Sequence, residues 1–145
     1  MDRNEIEALI RRLHEVRKEN NAESVARFFT DDAVFGVAGC QTSSGVACNM
    51  RGQAAFMPVL ATLAELFHWV EVDFHSIIIE ALQASASYTL TFDHTPTGRR
   101  HESDVSDIMT FRDGKICRMI QYVDTAFLNM INEQGAVPQQ AKRVY

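Results

Sequence analysis

The sequence is short of cysteine, proline and positive charge, and it has no long apolar run. Its three cysteines, Cys40, Cys48 and Cys117, are an odd set with no CxxC pair and no metal-ligand spacing. That excludes a disulfide framework and a zinc finger, and free thiols place the expected location in the cytoplasm. No HxH or HExxH string is present, so no metal is expected, and nothing in the sequence asks for another cofactor. Lys and Arg number 14 against 19 Asp and Glu, for a formal charge of −5. Nucleic-acid binding needs a clustered cationic excess, and Arg11-Arg12 and Arg99-Arg100 are isolated pairs. No stretch of about 18 apolar residues could span a membrane, and Met1 to Glu5 has no apolar signal character. Neither nucleic acid nor a membrane is an expected partner.

The 145 residues, 46% of them hydrophobic, suffice for one domain around one core. Ile6, Leu9, Ile10, Leu13 and Val16 recur at spacings of three and four, with Glu5, Arg11, Arg12, Glu15 and Lys18 opposite, which predicts an amphipathic first helix. Asn20-Asn21 ends it. A second, short helix carries Val25, Phe28 and Phe29, and Thr30-Asp31-Asp32 reads as a turn into a short strand over Ala33 to Val37. Gly39 to Asn49 reads as a loop. Arg51-Gly52 opens a third helix whose stripe is Phe56, Val59, Leu60, Leu63, Leu66 and Phe67, with Pro58 in its early turns.

Four runs rich in β-branched and aromatic residues follow, over Val70 to Glu80, Ser85 to Thr95, His101 to Phe111 and Ile116 to Val123. Pro96-Thr97-Gly98 and Asp113-Gly114 have hairpin-turn chemistry. Helices followed by consecutive strands predict an α+β domain with an antiparallel meander curling over the helices. The domain is expected to span residues 1–134, with Ala126 to Ile131 a short helix and 135–145 a polar tail.

Two strings carry a resemblance. Phe28-Phe29-Thr30-Asp31-Asp32-Ala33-Val34-Phe35 is similar to a helix-to-strand junction of the nuclear transport factor 2-like superfamily. Asp104-Val105-Ser106-Asp107-Ile108-Met109-Thr110-Phe111-Arg112-Asp113-Gly114-Lys115-Ile116 resembles a strand pair of its ketosteroid isomerase-like members. The resemblance covers about residues 5–130 and implies a cone-shaped, cystatin-like fold in which three N-terminal helices pack on a curved, mostly antiparallel sheet. It also implies a homodimer and a pocket for a small apolar ligand or substrate. It does not imply one reaction, because SnoaL-like cyclases, isomerases, dehydratases, epoxide hydrolases and non-catalytic binders share this cone.

Strand alternation then sorts the candidates. If Asp107 faces inward, so do Val105, Met109 and Phe111. The resemblance places Asp107 where ketosteroid isomerase holds a protonated aspartate that donates to an oxyanion. On the preceding strand Tyr88, Leu90 and Phe92 face the pocket; Tyr88 could donate beside Asp107 or simply fill the core, and His94 by the turn reads as a rim residue. On the last strand Cys117, Met119, Gln121 and Val123 face inward. The same matching sets Val37 at the isomerase's general-base position, Leu13 at its helix-one tyrosine and Gln121 at the cyclases' catalytic aspartate. None of these can transfer a proton. His14 falls at the edge of the helical stripe. His68, read as closing the third helix, is a further pocket candidate or a helix cap.

Two functions stay open at this stage. One is lyase, isomerase or cyclase chemistry on a small apolar carbonyl or hydroxyl compound through Asp107 and Tyr88, other than standard ketosteroid isomerisation. The other is a non-catalytic ligand-binding or dimerisation domain. Ile77-Ile78-Ile79, apolar on both strand faces, points to a homodimer.

Overall fold

The computed structural model describes residues 1–38 and 49–134. The loop read over Gly39 to Asn49, apart from Asn49 itself, lies outside these, as do Cys40, Cys48 and the tail 135–145. The first helix, α1, runs Arg3–Arg17 and opens with a capping box: Asp2 accepts from the Glu5 amide at 2.9 Å while Glu5 accepts from the Asp2 amide at 2.7 Å. Ile6, Ile10 and Leu13 are fully buried, each contributing about 1.5–3 kcal/mol relative to exposure. The short α2 (Ala22–Ala26) is capped by the Asn21 side chain.

The strand β1 is longer than the sequence suggests, Phe29–Val37. It runs parallel to the last strand, and its register shifts between Phe29 and Val34. Asp31 and Asp32 therefore sit exposed within a bulged strand, not a turn, and Asp32 accepts from Arg112 and Thr30. After the two-residue β2 (Met50–Arg51), Gly52 caps α3 (Gln53–Leu66) with φ +88 and donates its N–H to Ala33 at 2.7 Å, a backbone setting that favours glycine.

The meander follows as β3 (Phe67–Glu80), β4 (Gln83–His94), β5 (Arg99–Arg112) and β6 (Lys115–Tyr122), and α4 (Thr125–Gln134) crosses its end. The sheet order is β2-β1-β6-β5-β4-β3, antiparallel throughout except for β1 against β6. The α+β architecture with helices packed on a curved, open sheet is thus realised. Asp113 and Gly114 turn β5 into β6 with φ of 54° and 77°, the two positive values a type I′ turn requires. Nothing lies within 4 Å of a Cβ added at Gly114, so Gly114→Ala should cost about 1–2 kcal/mol through backbone strain alone. Urea unfolding of the pair would read it as a lower midpoint with an unchanged slope.

A second shift, between Thr110 and Phe111, makes Cys117 the extra residue of β6. Ile116 takes the buried place expected of Cys117, whose half-buried thiol donates to the Thr110 carbonyl at 3.4 Å. From Met119 onward the alternation is as read.

Candidate functional site

The inner face of the sheet is built in transverse rows, each set by cross-strand register. Ala84, Met109, Met119 and Phe35 form one row; Ala86, Asp107, Gln121 and Val37 form the next; beyond them come Tyr88 with Val105, and Leu90 with Ser103. Met109 and Met119 are fully exposed to no solvent and pack, with Leu13, Phe29, Phe35 and Phe56, into the larger hydrophobic cluster. Val105, Tyr88, Leu90 and Phe92 belong to a smaller cluster with Leu128 and Ile131 of α4. The row containing Asp107 marks the boundary between them.

At that boundary four polar side chains meet. His14, in the last turn of α1, reaches across 93 positions of sequence to place Nε2 2.9 Å from Asp107 Oδ2, and its Nδ1 lies 2.7 Å from the Ile10 carbonyl. Tyr88 donates its hydroxyl to the same Oδ2 at 2.9 Å, and the Gln121 amide donates to Tyr88 at 3.2 Å. His14, Tyr88 and Asp107 are fully buried. The ring of His14 is held edge-on by Phe74 and Tyr88, with centroids 5.0 and 4.8 Å away.

The hydrogen-bond inventory constrains where the protons are. A carbonyl only accepts, so Nδ1 of His14 carries a hydrogen. The contact between Nε2 and Oδ2 then needs one further proton, held either by the carboxyl of a neutral pair or by the ring of an ion pair. Burial, and after it the neighbouring Asp107 carboxyl, pushes the Tyr88 phenol well above its ordinary value, so Tyr88 remains a donor. Asp107 Oδ1 is the one buried side-chain polar atom without a partner among the described residues. Such an orphan costs about 1–3 kcal/mol.

Next to this constellation lies a partly open cavity of about 60 Å³. Of the expected lining residues, Val37, Leu90, Phe92, Val105, Gln121 and Val123 face it, joined by Arg17, Leu63, Phe67, Trp69, Ser103 and Leu128. Leu13, Met109 and Met119 do not; they lie one row deeper, where the helices close on the sheet and leave no space. His68 is exposed, because α3 ends at Leu66 and alternation from Phe67 turns Phe67 and Trp69 inward and His68 out. His94 is buried instead of lying at the rim, stacked on Phe67 at 5.6 Å with Nδ1 2.9 Å from Thr97 Oγ1.

Asp107 and Tyr88 are brought together, but neither lines the cavity; Gln121 lines it and donates to Tyr88, and Trp69 lines it with its ring 6.0 Å from those of His14 and Tyr88. The sequence reading missed Arg17 and set His14 at the edge of the stripe. Both were findable. Buried positions 6, 9, 10, 13, 14 and 17 repeat at three and four, and the series from Ile6 to Leu13 predicts His14 and Arg17 as its continuation.

Among the described residues no three His, Cys, Asp or Glu side chains gather as a metal site, and no helix is long and apolar enough to cross a membrane. No curated protein matches the sequence. Among solved structures, a candidate isomerase from Bacillus subtilis is similar at a TM-score of 0.79 and 18% identity, over 96% of this chain and 100% of that one. TerC, co-crystallised with polyporic acid, is similar at 0.74 and 19% identity, over 89% of this chain and 98% of that one. An LEH-like epoxide hydrolase from M. tuberculosis is similar at 0.68 and 17% identity, over 92% of each chain. At such identities these structures speak for the fold, the nuclear transport factor 2-like cone. A family model described as SnoaL-like domain matches residues 10–119, most of the chain, from the second half of α1 through the Asp107 strand into β6, and the chain belongs to that family.

Proposed function

We propose that this chain is an enzyme that moves a proton on a small, mostly apolar carbonyl or hydroxyl compound, by lyase, isomerase or cyclase chemistry. Asp107 and Tyr88 are its catalytic pair and His14 the base that completes them. The supporting observation is the buried 2.9 Å contact between His14 Nε2 and Asp107 Oδ2, which requires one shared proton, beside an Asp107 Oδ1 that has no partner among the described residues. An imidazole and a carboxyl sharing one proton can release or accept it with little rearrangement. Tyr88, kept protonated, is suited to hold an oxyanion. Gln121 stands between cavity and phenol, so its displacement by a ligand carbonyl is the step that admits substrate. With Val37 and Leu13 at the isomerase's other two functional positions, the route is not that of ketosteroid isomerase.

Deuterium exchange at carbons next to the carbonyl of small cyclic ketones, followed by NMR, tests this without a known substrate. Exchange should be abolished in Asp107→Asn, which keeps the shape of the side chain and loses the acid. Exchange that survives in Asp107→Asn would refute the assignment.

A second reading, a non-catalytic ligand-binding domain, is favoured by one fact: none of His14, Tyr88 and Asp107 touches the cavity in this conformation. Saturable ligand binding with no exchange in the wild type would decide for it.

As partner we infer a second copy of the chain. Ile77 and Ile79 pack inward while Ile78 is 64% exposed, and its row on the outer sheet face continues through Ser85, Ile108 and Ile120, with Ile108 and Tyr122 each 48% exposed. A small serine between large apolar side chains suits face-to-face packing. Ile108→Asp is expected to convert a dimer to a monomer in sedimentation at micromolar concentration; a wild-type monomer would remove the inference.

A further inference from the structure

The cavity holds a cation that the proton-transfer chemistry does not use. Arg17, in the last turn of α1, is 9% exposed, and its guanidinium carbon lies 4.0 Å over the Trp69 ring. Among the described residues it has no hydrogen-bond acceptor and no carboxylate partner, and the cavity wall around it is apolar apart from Gln121 and Ser103.

The Arg17 N–H groups still reach solvent, since among the described residues only Asp107 Oδ1 is a fully buried side-chain polar atom without a partner, and an acceptor that replaces that solvent beside a largely buried guanidinium is best a charged one. Stacking on Trp69 and the carbonyl end of α1 ease the charge, but stacking supplies no acceptor in the guanidinium plane. A planar fork of five donors matches a carboxylate with two parallel hydrogen bonds. One cation and two neutral polar groups suit a monoanion, and the apolar wall suits a branched or aromatic body.

We propose that the cavity selects small apolar carboxylates and that Arg17 is the residue that reads the carboxylate. This rests on the reading of the cavity as the substrate site, and it narrows the substrate to a compound with an acid group besides the carbonyl or hydroxyl at which the proton moves.

The test is binding of benzoate and isovalerate to the full chain, each against its neutral amide, by calorimetry or ligand-observed NMR. Each acid is expected to bind about tenfold more tightly than its amide or better, as a charge-assisted pair implies. Arg17→Gln should erase that difference, and Arg17→Lys should keep part of it. Amides that bind wild type as well as the acids, acids that fail to bind at millimolar concentration, or an undiminished acid preference in folded Arg17→Gln would each overturn the proposal. The wild-type comparison stands even if Arg17→Gln does not fold. Acid preference without any exchange chemistry would sink the proton-transfer reading and leave this one standing; exchange on neutral ketones with no acid preference would do the reverse.

Discussion

In a double-mutant cycle, His14→Ala and Asp107→Ala are each expected to destabilise the fold by about 3 kcal/mol, and the double variant by about 2 kcal/mol less than their sum. Each single change leaves a buried group stranded. Without Asp107, His14 Nε2 and the Tyr88 hydroxyl lose their shared oxygen; without His14, Oδ2 keeps only Tyr88 and the Ile10 carbonyl loses the ring N–H. Removing both deletes the mismatch together with the bond, which is why the effects do not add. For a domain whose whole stability is about 5–15 kcal/mol, either single change is a large fraction. Asp107→Asn should behave differently. Because His14 and Tyr88 meet the same oxygen, its carbonyl and amide cannot serve both, one contact is lost, and a loss of about 1–2 kcal/mol, smaller than for either alanine, is expected. Chemical denaturation of the five proteins checks all of this, and additivity within about 0.5 kcal/mol would mean that the two side chains do not share a bond.

Phe56→Ala is expected to cost about 3–5 kcal/mol. Phe56 is fully buried on α3, and its ring lies 5.5 Å from Phe29 and 5.8 Å from Phe35, both on β1. It is the side chain through which the third helix holds the first strand, in the larger cluster where helices and sheet meet. Because neighbouring backbone is hydrogen-bonded in β1, collapse into the vacated space is limited, and most of the cavity term remains. Phe56→Leu keeps most of the volume and should cost about 1–2 kcal/mol. A loss for Phe56→Ala below about 1 kcal/mol would show that the cluster repacks around the gap.

Much of the fold was legible because it is written in local period. The spacing of Ile6, Leu9, Ile10 and Leu13, the Asp113-Gly114 turn and the alternation that turns Asp107, Val105 and Tyr88 inward all follow from neighbours within a few residues. Two of the misreadings share one cause. Cys117 yields its place to Ile116 because of a bulge, and His68 changes face because the chain passes from helix to strand without a loop between Leu66 and Phe67. Each shifts the phase of a pattern that was itself correctly recognised, and a one-residue shift exchanges the two faces of a strand.

The candidate site divides in the same way. That Asp107 shares one strand face with Val105, Met109 and Phe111 was determined by the sequence alone; that this face is the inner one was an expectation from the resemblance. That its partner is His14, that Gln121 and not Asp107 meets the cavity, and that Arg17 stands over Trp69 with no acceptor among the described residues were decided only by the tertiary structure. Side-chain direction is set by periods of two and 3.6, which neighbouring residues reveal. The depth at which a helix turn meets a sheet row depends on how α1 docks across the curved strands, and no local period records that.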